Sequence, residues 1–178
     1  NNLQRRFNRI IKRIFDFVVA VCMIPIILCI VLILSTLIYI DCPGPIIYSH
    51  RRVGKHGQLF ACYKFRTMVT NSDEVLKEYL ANNEEARLEW ERDFKLKEDP
   101  RITKVGRFLR KTSLDELPQI FNVLKGDMSL VGPRPITQEE VHKYGPYIND
   151  FYMVLPGITG LWQVSVRSYT SYGERVHR

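Results

Sequence analysis

The chain carries no charged residue from Phe17 to Ile40. At about 1.5 Å per residue, such a run is long enough to cross a bilayer core of roughly 30 Å. Hydropathy alone therefore predicts a single spanning helix. Two features oppose that reading. Pro25 lies inside the run, cannot donate to the Val21 carbonyl, and predicts a kink or break. Both flanks are also basic, with Arg5, Arg6, Arg9, Lys12 and Arg13 before the run and His50, Arg51, Arg52 and Lys55 after it. The positive-inside rule draws both flanks to the same face. A segment that enters, bends at Pro25 and returns satisfies both flanks, so the residues alone leave spanning and re-entry open. A cleaved signal peptide does not fit, because the run is too long and lacks a small-x-small site.

Asp41-Cys42-Pro43-Gly44-Pro45 terminates the apolar run. Short strands are expected at 46–50 and 58–65 around the basic turn 51–57, forming a hairpin. The Glu-, Lys- and Leu-rich stretch 71–98 predicts two helices, the first capped by Ser72, with Val75, Leu76, Tyr79 and Leu80 on one face. Residues 103–111 predict an amphipathic helix, apolar at Val105, Phe108 and Leu109 and cationic at Lys104, Arg107, Arg110 and Lys111. A helix over 113–125 follows, with Ser113 and Glu116 at capping-box spacing and Gly126 as its stop. Pro118 sits too deep for an ideal first turn, so a start near Asp115 is the alternative. Thr137 is expected to cap another helix, whose aromatics Tyr144, Tyr147, Phe151 and Tyr152 are either core or an interfacial belt. The stretch 156–163 reads as turn then strand.

The 178 residues suffice for one domain. A net charge of +7 and a pI near 9.3 point to anionic partners, whether phosphates, nucleic acid or acidic lipid. Nucleic acid is disfavoured, since no helix-turn-helix or RNP pattern accompanies the charge. The four cysteines form no CxxC pair and the four histidines no HxxxH, which argues against a disulfide framework or zinc site. No P-loop or GxGxxG is present, so a bound nucleotide is not held in either cradle. The start at Asn1 and the polar end at Arg178 are expected to be those of a fragment.

Asp115–Glu116 is the most informative pair. Two carboxylates following Lys104, Arg107, Arg110 and Lys111 suggest a nucleophile or metal ligand facing an anionic substrate. The bland alternative is two acids in the first turn of a helix, favoured by its dipole. Arg134 lies between Pro133 and Pro135, which fix the backbone and can aim one guanidinium at a phosphate. Lys64 and Arg66 flank Phe65 as either solvated strand charges or phosphate contacts.

Four ordered strings settle the choice: Tyr63-Lys64-Phe65-Arg66-Thr67-Met68, Ser113-Leu114-Asp115-Glu116-Leu117-Pro118-Gln119, Gly126 to Pro135 (GDMSLVGPRP) and Pro156-Gly157-Ile158-Thr159-Gly160. From about Arg13 onward the chain resembles the monotopic phosphoglycosyl transferases, the bacterial sugar transferases of glycoconjugate assembly. Within that family it most resembles the undecaprenyl-phosphate galactose phosphotransferases of O-antigen and capsule synthesis, closest at 160–165 and in the helices inserted at 71–98. The resemblance implies transfer of a hexose 1-phosphate from a UDP-sugar, galactose before glucose, to undecaprenyl phosphate, with release of UMP and with Mg²⁺. It implies Asp115 as nucleophile and metal ligand, through a covalent phosphosugar intermediate, with Glu116 as acid/base or positioning partner. Lys64, Arg66, Arg110 and Arg134 are the phosphate-facing candidates. The implied fold is α+β and membrane-associated. A basic amphipathic interfacial segment (1–16) precedes a re-entrant membrane helix bent at Pro25 (17–41). A small mixed catalytic domain (42–178) follows, with amphipathic interface helices and a short β-hairpin, at the cytoplasmic face of the bacterial inner membrane and in contact with its lipid. Ile24 stands where the family often has Ser, and Val166 where it usually has Gly. Members also continue beyond the segment matching Arg178, and larger ones carry further membrane helices upstream. A non-enzymatic, membrane-anchored basic module is the competing reading.

Overall fold

The structure, a computed structural model, describes residues 6–160. The readings placed on Asn1–Arg5, on the 161–165 part of the final string and on Val166 lie outside the described residues. The described residues form two compact units: 6–29, 49–64 and 116–160, and 30–48 and 65–115.

Helix α1 (Arg6–Asp41) is one 36-residue helix containing Pro25, without the helix break expected there. No helix end separates the basic stretch from the apolar run. Ala20, Ile27, Leu34 and Ile38 are buried at helical spacing, while Phe17, Val18, Leu28, Leu32, Ile33 and Ile40 are exposed. The helix is mostly exposed and is long and apolar enough to cross a membrane, the one candidate span among the described residues.

In the first unit, strands β1 (Ile47–Val53) and β2 (Leu59–Phe65) pair into a two-stranded sheet across a tight turn. β1 thus runs three residues further than the predicted 46–50. His56 adopts a left-handed backbone (φ 58°) that shortens the turn. Helix α5 (Gln119–Lys125) stops at Gly126, whose φ of 98° suits glycine. Asn122, fully buried, joins α5 to β2. Its Oδ1 accepts from the Tyr63 amide at 3.1 Å and its Nδ2 donates to the Ala61 carbonyl at 2.7 Å. Arg13 on α1 donates to the Val123 and Leu124 carbonyls, 2.5 and 3.0 Å away, satisfying the open end of α5.

Strands β3 (Ser129–Val131) and β4 (Gly157–Thr159) pair in parallel, Ser129 beside Gly157. The two glycine-containing strings meet here. A Cβ on Gly157 would lie 2.1 Å from the Gly132 amide nitrogen, so no larger residue fits. The Gly157 amide donates to the Pro133 carbonyl, and the Val53 amide to the Ile136 carbonyl, both at 2.8 Å. Gln138–Tyr147 form a 3₁₀ segment with Thr137 at its N-cap, and Glu140 closes a capping box by accepting from the Thr137 amide. Helix α6 (Ile148–Tyr152) follows. Phe151 is buried with Val53 and Ile136, and Tyr144 and Tyr152 pack against them, so these aromatics are core, while Tyr147 is exposed.

The second unit holds α2 (Ser72–Asn82), α3 (Glu84–Asp93) and α4 (Lys104–Thr112). Ser72 is the first helical residue; Asn71 precedes it as the N-cap, so the predicted cap shifts by one. Asn83 caps α3 by accepting from the Ala86 amide. Asp99 and Arg101 form a two-pronged ion pair, and the guanidinium stacks 4.9 Å from the Trp90 ring centre. Burial alone would raise the Asp99 pKa, but the hydrogen bonds from Arg101 outweigh it and lower it. Helix α4 is capped twice. Thr103 accepts from the Gly106 amide, and Asp41, at the end of α1, accepts from the Val105 amide at 2.9 Å. Gly106 is required, since a Cβ there would lie 2.1 Å from the Thr67 carbonyl oxygen.

The predicted helix 113–125 is corrected. Ser113 takes φ 61° as the C-cap of α4, Leu114–Glu116 form one 3₁₀ turn, and α5 begins after Pro118. The capping-box spacing is coincidental, and Pro118 is the reason. It is tolerated as N-cap of a later helix but not inside one that starts at Ser113.

Asn122→Ala leaves the Tyr63 amide and Ala61 carbonyl without their partner. It is expected to cost roughly 3 kcal/mol, about one net unit for each of several buried groups. Denaturant unfolding in detergent would measure this, and a loss below about 0.5 kcal/mol would show that Asn122 does not hold β2 to α5.

Candidate active site

The division between the two units falls between Asp115 and Glu116. The two carboxylates nevertheless share one 3₁₀ turn, the loop-to-helix junction that the late start of α5 creates. Each has its own surroundings.

Glu116 accepts from Lys64 Nζ at 2.7 Å, both side chains about a quarter exposed. A crevice beside this pair is lined by Arg52, Cys62, Lys64, Glu116, Gln119 and Arg134, among others, with room for about one water at roughly 10 Å³. Arg134 reaches it because β4 holds the Pro133 carbonyl and β1 holds Ile136, gripping the Pro-Arg-Pro stretch on both sides. Arg52 also reaches it, 3.5 Å from Glu140. Burial lowers the Arg52 pKa, as does repulsion from Arg134, while Glu140 and Glu116 raise it. Three cations, Arg52, Lys64 and Arg134, thus line a narrow crevice with one carboxylate, Glu116. Such an arrangement attracts a phosphate and restrains a carboxylate.

Asp115 is half-buried and lies in the second unit. Arg110 is its cationic neighbour. Desolvation lowers the pKa of Arg110, while Asp115 and Asp99 raise it. Arg110 Nε donates to Thr67 Oγ1 at 2.8 Å. Arg66 is occupied otherwise. It donates to the Cys42 carbonyl and lies 3.6 Å from Cys42 Sγ, fastening the Pro-Gly-Pro terminator after α1.

Of the predicted residues, the first unit brings together Lys64, Glu116 and Arg134, and the second sets Arg110 near Asp115. Arg66 joins neither group. Arg52 and Gln119 were missed. Gln119, buried at 2 %, ends the Leu-Pro-Gln string, and that was its only signal. Arg52 stood among the basic flanks, and only strand pairing distinguishes it from Arg51.

Mg²⁺ takes oxygen ligands, usually one or two carboxylates completed by water and substrate phosphates. Among the described residues no three histidines, cysteines, aspartates or glutamates converge. Asp115 fits that carboxylate-poor donor set, with the remaining oxygens coming from water and substrate.

A family model for bacterial sugar transferases matches residues 7–178. The chain is 58% identical over 177 residues to an undecaprenyl-phosphate galactose phosphotransferase of Salmonella typhimurium, covering 99% of this chain and 37% of that protein. It is 51% identical, with the same coverage, to a UDP-galactose-lipid carrier transferase of Erwinia amylovora. It is 44% identical to the exopolysaccharide production protein ExoY of Sinorhizobium fredii, covering 97% of this chain and 76% of that protein. The chain therefore spans little more than a third of the first two relatives.

Cys62 is 1% exposed, and burial pushes its thiol up to about 11. At pH 8 only about one such thiol in a thousand is ionised. With Cys22, Cys29 and Cys42 replaced by Ser, maleimide should label folded Cys62 at least ~100-fold more slowly than the unfolded chain. The folded rate should rise about tenfold per pH unit between pH 7 and 9, because the thiolate is the reactive form. A rate levelling off near pH 8 would contradict the burial.

Proposed function

The chain belongs to the bacterial sugar transferase family, and from that premise we propose that it moves a hexose 1-phosphate, galactose first and glucose second, from a UDP-sugar to undecaprenyl phosphate. The observation that carries this reading is the unequal treatment of two adjacent carboxylates in one turn, Glu116 tied by Lys64 at 2.7 Å and Asp115 placed with Arg110.

An Asp115 oxygen attacks the phosphorus that bears the sugar. The new carboxylate–phosphorus bond forms as the bond to the bridging oxygen breaks, and its electron pair leaves on UMP. A phosphate oxygen of the lipid then attacks the same phosphorus, forming the diphosphate and returning Asp115 to its carboxylate. Carboxylates are established covalent acceptors of phosphoryl groups. Bound Mg²⁺ would supply electrostatic relief of the diphosphate charge. Lys64, Arg134 and Arg110 are suited to hold phosphate oxygens, with Arg52 added from the crevice. Glu116, restrained by Lys64, is suited to position the turn or to hold a proton. Arg66 is more simply read as a structural clamp.

Re-entry of α1 has its own support. Asp16, 1% exposed, accepts from Lys12 and from the Ser129 hydroxyl, and Asp41 caps α4. The apolar run is thus bracketed by two carboxylates bound to residues that follow it. No second candidate span occurs among the described residues to carry one of those partners across the membrane. The basic flanks of the run favour the same, cytoplasmic, side of the inner membrane for both ends.

UMP release from UDP-galactose should require Mg²⁺ and fall by more than about a thousandfold in Asp115→Asn, the scale of losing a nucleophile. Near-normal turnover by that variant would remove Asp115 from this role. A basic binding module would release no UMP with or without metal. For topology, single cysteines at Asn8 and Pro43 should both label from the cytoplasmic face of oriented vesicles. Labelling from opposite faces would make α1 a spanning helix.

A further inference from the structure

A second cavity, of about 270 Å³, lies in the first unit and shares no lining residue with the crevice at Glu116. Its cationic lining comes from Arg9, Lys12 and Arg13 on α1 and from Lys55 in the hairpin turn. Its apolar lining includes Val131, Met153 and Leu155, of which Val131 is 58% and Met153 46% exposed. Four cations surround one carboxylate, Asp16, and that carboxylate is already neutralised by Lys12 at 2.5 Å. Arg13 is committed to the end of α5. Arg9 and Lys55 make no side-chain hydrogen bond or ion pair among the described residues.

Charge and hydropathy together define the occupant. An apolar cavity alone would take any hydrocarbon, and a cationic rim alone any anion. A cavity with both, one turn before the uncharged run begins at Phe17, suits a phosphate carried on an acyl chain. The cavity is also set apart from the chemistry. Gly132 and Pro133 line it, whereas Arg134 and Pro135 line the crevice. A lipid held here touches Gly132 and Pro133, next in sequence to Arg134, without sharing a lining residue with the crevice.

We propose that this cavity is a binding site for the headgroup of an anionic membrane phospholipid. The occupant is a resident lipid and not the lipid substrate, because the cavity shares no lining residue with the crevice at Glu116. The proposal holds whether or not the chain transfers a phosphosugar.

Native mass spectrometry of the full chain, released from detergent with equal amounts of phosphatidylglycerol and phosphatidylcholine, tests it. Phosphatidylglycerol should be retained in preference. The double variant Arg9→Gln/Lys55→Gln should lower its retention by about thirtyfold, the effect of removing two cations from an anionic lipid surface. Met153→Asp should also lower it while leaving both cations in place. Soluble glycerol 3-phosphate should give no retained adduct, and equimolar undecaprenyl phosphate should not displace the phospholipid. Equal retention of the two phospholipids, wild-type retention by the double variant, a glycerol 3-phosphate adduct, or displacement by undecaprenyl phosphate would each overturn the proposal. Mg²⁺-dependent UMP release, measured on the same preparations, separates the two readings. Lipid retention without UMP release sinks the proposed reaction alone, and UMP release without selective retention sinks the lipid site alone.

Discussion

A seven-residue helix does not hold itself together in water, since nucleation costs more than so few hydrogen bonds return. Helix α5 is that short, and the first unit is organised around fixing it. Asn122 fastens its middle to β2, and Arg13 satisfies its last carbonyls. Leu117 and Pro118 join its start to the turn that ends in Glu116. β2 carries Lys64, the partner of Glu116. The bond between Asn122 and β2 therefore fixes the distance between an acid and its base, and the bond from Arg13 ties the same helix to α1.

That rigidity matters because the proposed chemistry begins with a repulsion. A carboxylate approaching a diphosphate meets like charge, about 4 kcal/mol for two unit charges 4 Å apart at an effective dielectric of 20. Two neighbouring carboxylates would double the problem. Pairing Glu116 with Lys64 removes one of them from the balance, and Arg52 and Arg134 add positive charge beside it. A lipid-borne acceptor and a water-soluble donor also arrive from different phases. The proposed relay through Asp115 would free the site from holding both at once.

The large-scale organisation was legible because it rests on composition and spacing. An uncharged run, a Pro-Gly-Pro stop, two Glu/Lys-rich helices and an amphipathic α4 all appear where the pattern put them. What was not legible depends on backbone conformation or on pairing across the chain. Ser-x-x-Glu can open a helix, but here Ser113 closes the previous one in a left-handed conformation. Asn122 looked like one polar residue in a short helix, although it is fully buried against β2. Arg66 has the right chemistry for phosphate, and its bond to the Cys42 carbonyl had no signal in the sequence. Arg52 and Arg51 are indistinguishable until strand pairing turns one of them toward Glu116. The Gly-Pro-Arg-Pro and Pro-Gly-Ile-Thr strings were recognisable singly. Their contact through Gly132 and Gly157 follows only from the parallel pairing of β3 and β4.

The central claim is a division of labour within one turn, with Asp115 reacting and Glu116 held. It is tested most directly by locating the transferred group. The full chain would be incubated with UDP-galactose and Mg²⁺ without acceptor and digested under mildly acidic conditions. The peptide containing residues 113–119 would then be fragmented in a mass spectrometer. A hexose phosphate on Asp115 is the predicted result; one on Glu116, or on a residue outside this turn, would contradict it.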